Sequence, residues 1–116
     1  MAENIGETIE YDGLFLNTDT GSNNEIKVNV KGRLETANSI NFLNYMTQLI
    51  DASPTGCDLI LEMSELYYVS STGIGAFTTI LVNSKKRNMQ LFIKNMQPKV
   101  MSVLELLGFT DFFNFI

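Results

Sequence analysis

The chain has 116 residues, 45% hydrophobic, 18% charged and 10% aromatic, with a net charge of −5, which makes one small folded domain rather than a disordered or multidomain protein. It has no histidine and one cysteine, Cys57, so it cannot by itself build a Ser-His or Cys-His nucleophile pair, a histidine metal site, a thiolate zinc site or an internal disulfide. The acidic balance gives no basic footprint for nucleic acid or anionic lipid, and no apolar run approaches the ~20 residues of a membrane helix.

Met1-Ala2-Glu3-Asn4-Ile5 lacks the basic start of a signal peptide, so the expectation is a soluble cytoplasmic protein without metal or cofactor. Residues 1–8 are polar and are expected to be a flexible N-terminus, leaving 9–116 as a single domain. Ile9 to Asn17 and Glu25 to Lys31 read as two strands. The second alternates Ile26, Val28 and Val30 with Lys27, Asn29 and Lys31, as a half-exposed strand does. The polar run Thr18 to Asn24 between them reads as a longish hairpin loop. It lacks the spacing and closing glutamate of a calcium loop.

After Gly32 the apolar period changes. Thr36 is placed to cap a helix with Ile40, Leu43, Tyr45, Met46, Leu49 and Ile50 along one stripe, ended by Ser53-Pro54-Thr55-Gly56. Cys57 to Met63 is a short apolar run of the kind buried in a parallel sheet, with Cys57 as a small buried hydrophobe. A second helix is expected from about Thr72 to Arg87, carrying Ile74, Phe77, Ile80 and Leu81 at helical spacing. Lys85-Lys86-Arg87 would sit at its C-terminus and Asn88 in the left-handed position beyond. Met89 to Lys94 reads as a strand. Pro98 and Gly108 bracket a third helix with Val100, Val103, Leu104 and Leu107 inward. Phe112 to Ile116 reads as a last short strand or a packed tail.

This order makes an α/β domain with a mixed, mostly parallel sheet of four to five strands, an N-terminal hairpin and three or more helices. Function in such sheets gathers where strand C-termini meet helix N-termini. Those places are Lys31 to Thr36, Met63 to Thr72 and Asn95 to Pro98, expected together at one end. The densest signal there is Ser70-Ser71-Thr72-Gly73-Ile74-Gly75. It is not a dinucleotide fingerprint, because Thr78 stands where the third glycine belongs. It is not a Walker A loop, having no lysine, nor a nucleophile elbow, having neither the G-x-S-x-G frame nor a base. Two readings stay open: a serine N-cap with glycines for close packing, or an exposed hydroxyl that is phosphorylated.

The stretch Leu61-Glu62-Met63-Ser64-Glu65-Leu66-Tyr67-Tyr68-Val69-Ser70-Ser71-Thr72-Gly73-Ile74-Gly75 resembles the signature of STAS domains of the anti-sigma factor antagonist type, roughly D-[LM]-S-x-[VL]-x-[FY]-[IVM]-D-S-[ST]-G-[LI]-G. Gly32-Arg33-Leu34-Glu35-Thr36-Ala37 resembles that family's G-x-[LI]-D-x-x, and the element order over about residues 9–116 is similar to its architecture. The resemblance implies partner switching. An antagonist with an unmodified serine binds a kinase-type anti-sigma factor, phosphorylation by that kinase ends the binding, and a serine phosphatase restores it. The implied acceptor is Ser71 rather than Ser70 or Thr72. The chain departs from the pattern at Ser70, Glu35 and Glu62, each of which stands where the family has aspartate.

The expected partner-binding set is Glu35, Thr36, Glu62, Met63, Tyr67, Ser70, Ser71, Thr72, Gly73, Ile74 and Met96, with Tyr67 expected to be more exposed than Tyr68. The alternative reading is an unphosphorylated STAS scaffold, or a module sensing a nucleotide or lipid in the same loops. A hydrolase using Ser71 lacks any histidine or neighbouring lysine base.

Overall fold

The computed structural model describes residues 6–20 and 24–116. Six strands, β1 (Thr8–Tyr11), β2 (Leu14–Thr20), β3 (Glu25–Leu34), β4 (Asp58–Val69), β5 (Gln90–Lys94) and β6 (Asn114–Phe115), lie in one sheet in sequence order. Helices α1 (Thr36–Ala52), α2 (Ser71–Lys86) and α3 (Pro98–Leu106) connect β3 to β4, β4 to β5 and β5 towards β6, with a short 3-10 turn at Thr110–Phe112. The first two pairings are antiparallel and the last three parallel, so the expected α/β architecture with its N-terminal hairpin is present.

The segment Ile9 to Asn17, read as one strand, is two. Asp12 and Gly13 both adopt positive φ and fold it into a tight hairpin. This is the backbone that a two-residue turn matching strand twist requires. Thr18 to Thr20 belong to β2 rather than to the expected loop, Thr18 is buried, and residues 21–23 of that loop lie outside the described residues. Of the segment expected to be flexible, residues 1–5 lie outside the described residues. Gly6 bonds Thr18 O and Thr8 pairs with Asn17 in the sheet.

Leu14, Leu16, Val28, Val30, Leu59, Leu61, Leu91 and Ile93 alternate onto the helix-covered face. There they meet Phe42, Met46 and Ile50 of α1 and Phe77 and Ile80 of α2. Phe42 and Phe77 pack edge to face at 5.9 Å where the two helices touch. Ile40, expected in the α1 stripe, points outward at 63% exposure and Phe42 takes the core place, since the stripe is centred two residues later. In α3, Val100 and Leu104 are buried, whereas Val103 and Leu107 lie on an exposed flank. Pro98 at the helix start and Gly108 at positive φ beyond it stand as read. Cys57 is buried, and burial pushes its thiol pKa up, so it is an inert core residue.

One buried polar pair fixes α1 on the hairpin. The Thr18 and Tyr45 hydroxyls lie 2.6 Å apart inside the core. Burial raises the Tyr45 pKa, against the lowering effect of the Thr18 bond. Tyr45→Phe leaves the Thr18 hydroxyl without that partner. It is expected to cost about 1–2 kcal/mol in urea unfolding, and a loss below a few tenths would show the pair to be unimportant.

Strand β4 sets the distance between the start of α2 and the end of β5. Its register against β3 slips by one residue between Glu62 and Glu65 and again between Leu66 and Tyr68. Each slip is a bulge with an extra residue on β4. The buried positions therefore pass from alternate residues, Leu59, Leu61 and Met63, to every third, Leu66 and Val69. The strand continues six residues past Met63 instead of ending there.

Candidate functional site

The C-termini of β3 and β4 deliver two helix starts side by side. Leu34 and Val69 are ladder partners, and the Ser70 N–H donates to the Leu34 carbonyl at 2.9 Å. Glu35 is the N-cap of α1 and Thr36 its first residue, so Thr36 does not hold the cap position. Ser70 is the N-cap of α2, its Oγ accepting from the Gly73 N–H at 3.1 Å. Serine does here what the cap position asks for, an oxygen aimed at an otherwise free donor. Ser71 is then the first helical residue and exposed. The Thr36 and Thr72 hydroxyls meet across the junction at 3.3 Å.

Gly73 and Ile74 do not belong to an accessible face. A Cβ on Gly73 would lie 2.8 Å from Leu34 Cγ and 2.9 Å from Val69 Cγ2, so the glycine lets α2 press onto the ends of both strands. Ile74 is buried beneath the helix. Both hold the Ser71 hydroxyl in place without offering side chains to a partner.

The expectation that Met63, Glu62 and Met96 share this end is corrected. Strand β5 pairs with β4 only as far as Glu62, and β4 then runs seven more residues, about 20 Å, to Val69. Met63 is fully buried. Glu62 instead ties the β5–α3 loop down, accepting from the Ser64 N–H at 2.9 Å and from Asn95 Nδ2 at 3.0 Å, while Gln97 donates to the Ser64 carbonyl. Burial pushes the Glu62 pKa up, but these bonds and the nearby Lys94 outweigh it, and the net shift is downward. Met96 is partly buried against the core beside this loop. The signal that misled is the bulged strand, which puts more distance between β4 residues and the helix start than an apolar run ending at Met63 allows.

Tyr67 and Tyr68 line the lip below the two helix starts, 56% and 40% exposed, in the expected order. Two further residues complete the site and carry no motif of their own. Arg33 lays its guanidinium over the Tyr68 ring, 4.4 Å from the centroid, and its Nη2 lies 3.4 Å from Glu35 Oε1. Asn38, 1% exposed, accepts from the Glu35 N–H at 2.8 Å. Its amide donates to the carbonyls of Tyr11, Asp12 and Arg33 at 3.1, 3.3 and 3.0 Å. A buried asparagine three residues into a helix is visible in sequence only as a polar residue at a core position.

Beside the junction runs a groove between α1 and α2 of about 320 Å³, lined by Ser39, Ile40, Leu43, Thr72, Gly75, Ala76 and Thr79. No charged side chain lines it. Among the described residues no cluster of three or more Cys, Asp or Glu side chains could hold a metal ion, and no helix is long and apolar enough to cross a membrane.

The STAS domain family profile matches residues 17–116. The chain belongs to the STAS domain family. It is 25% identical over 97 residues to the anti-sigma-B factor antagonist of Bacillus subtilis, covering 83% of this chain and 86% of that protein. The fold is similar to the anti-sigma factor antagonist SpoIIAA in its unphosphorylated form, with a TM-score of 0.72 at 13% identity, over 87% of each chain. It is also similar to the Bacillus cell fate determinant SpoIIAA in the phosphorylated form, with a TM-score of 0.65 at 13% identity, over 87% of this chain and 90% of that one. These structural likenesses are likenesses of fold.

Proposed function

We propose that this STAS domain is an anti-sigma factor antagonist working by partner switching. With Ser71 unmodified it binds a kinase-type anti-sigma factor. Transfer of a phosphoryl group from ATP to Ser71 Oγ ends the binding, and a serine phosphatase removes the group and restores it. The domain is then a binding module and a kinase substrate, without an activity of its own. The observation that carries this reading is the placement of Ser71, exposed on the first turn of α2 and one residue past the Ser70 cap. The capping duty falls on Ser70, which leaves the Ser71 hydroxyl for another protein to reach. The named relatives are themselves antagonists, and one of them exists in a phosphorylated form.

The face around Ser71 has the composition of a protein-binding surface: Tyr67, Tyr68 and Arg33 at the lip, and an uncharged groove with exposed Ile40 beyond Thr72. A nucleotide sensor would need cations at the groove, and its lining holds none. The proposal predicts that incubation with the cognate anti-sigma kinase and ATP adds one phosphate by intact mass. Ser71→Ala removes that phosphate and Ser70→Ala leaves it. Phosphate retained in Ser71→Ala, or no phosphate on the wild type, overturns the reading.

A further inference from the structure

We propose that Arg33 is the phosphate-binding residue of the modified site: once Ser71 carries a phosphoryl group, the Arg33 guanidinium leaves Tyr68 and Glu35 and pairs with it. The inference rests on Ser71 being the modified hydroxyl.

Three observations lead to it. First, the chain has eight cations, and Arg33 alone stands at the junction of the two helix starts. Lys85, Lys86 and Arg87 are at the far end of α2, Lys94 and Lys99 flank the β5–α3 loop, and Lys27 and Lys31 lie further back along β3. Second, Arg33 is held lightly. Its contact to Glu35 is a single one at 3.4 Å between half-exposed side chains, and such surface pairs are weak. A phosphate offers about −1.5 to −2 charges and three acceptor oxygens, which the guanidinium fork can take two at a time. Third, the ladder sets the reach. Leu34 and Val69 are paired and Ser70 bonds Leu34. Arg33 is itself paired with Tyr68, three residues before Ser71, which puts the Arg33 and Ser71 Cα atoms roughly 10 Å apart, within the combined span of an extended arginine and a phosphoserine.

The acidic groups near this point are Glu35, 3.4 Å from Arg33, and Asp12, in the hairpin turn that packs on the end of β3; the first turns of α1 and α2 carry no acidic residue, and the Lys31–Glu65 pair sits two rungs back at 3.5 Å. Pairing with the phosphate would strip Tyr68 of its stacked cation and leave Glu35 uncompensated. The partner-facing lip thus loses a cation from beside Tyr68 and Glu35 as well as gaining the phosphate.

The test uses the full chain with phosphoserine installed at position 71 during synthesis, so it does not depend on any kinase. Phosphorus NMR follows the second ionisation of the phosphate against pH. An arginine pair favours the dianion, so the wild-type midpoint is expected about half a unit below that of Arg33→Gln. Lys31→Gln, which removes a nearby cation of equal charge, is expected to leave the midpoint where it is. Equal midpoints in wild type and Arg33→Gln overturn the proposal, and so does an equal rise in Lys31→Gln. Whether a kinase modifies Ser71 is decided separately by the mass measurement above.

Discussion

Asn38→Ala is expected to lower the unfolding free energy by about 3 kcal/mol, a large loss for one uncharged polar side chain. The residue joins three pieces of backbone through one side chain: the Asp12–Gly13 turn, the end of β3, and the first turn of α1. Alanine strands the Glu35 N–H and three carbonyls in a partly buried place at once. Close packing leaves little room for the turn to relax. A Cβ on Gly32 would sit 2.2 Å from the Gly13 carbonyl oxygen, and the Arg33 N–H already bonds that oxygen at 3.2 Å.

Asn38→Asp gives a second, pH-dependent reading. A carboxylate facing three carbonyls favours its protonated form, so its folded-state pKa rises above the ordinary ~3.9. The folded state then holds the proton more tightly than the unfolded one. The variant's stability should therefore fall as pH rises from about 4 through the raised value, while the alanine deficit stays flat. Urea unfolding at pH 4 and pH 7 checks both. A loss under about 1 kcal/mol in Asn38→Ala would mean that the turn and the helix start hold their places without it.

Most of the fold was written in local patterns. Ile26, Val28 and Val30 alternate because one sheet face is covered and the other open, and that face is what the structure buries. Pro98, Gly108 and Asn88 punctuate helices for backbone reasons that depend little on tertiary context. The helix start at Ser70–Ser71 was likewise legible, since capping chemistry is local. What was lost is non-local. The second half of β4 reads as a loop because two bulges change its buried period from two to three, and only pairing with β3 reveals them. Without that length, Met63 and Glu62 seemed neighbours of Ser71. Ile40 and Phe42 compete for one helical stripe, and the neighbouring Phe77 of α2 decides between them. Arg33 and Asn38 also act through partners 26 to 35 positions away, and no spacing rule covers those contacts.

Phosphoserine at position 71 is expected to weaken binding of the anti-sigma factor by at least about 100-fold, near 2.8 kcal/mol, without lowering the melting temperature of the domain. The two halves of this expectation come from the same geometry. Within the free domain the added charge lies at a helix N-terminus, where the dipole and open first-turn N–H groups favour it by up to ~2 kcal/mol. Gly73 anchors that turn against Leu34 and Val69, so the helix start need not move to accept it. At the interface the balance reverses. The modified lip must shed water from a dianion, and Glu35 already places a carboxylate beside it. Ser71→Ala, uncharged, should bind nearly as well as the wild type, and Ser71→Asp, with one charge and a shorter reach, should fall between. Calorimetric titration measures the affinities and differential scanning calorimetry the melting points. Equal binding by modified and unmodified protein would remove Ser71 from the switch. A melting point lowered by 10 °C or more, about 2 kcal/mol for a domain of this size, would show that the phosphate acts by disrupting the fold instead.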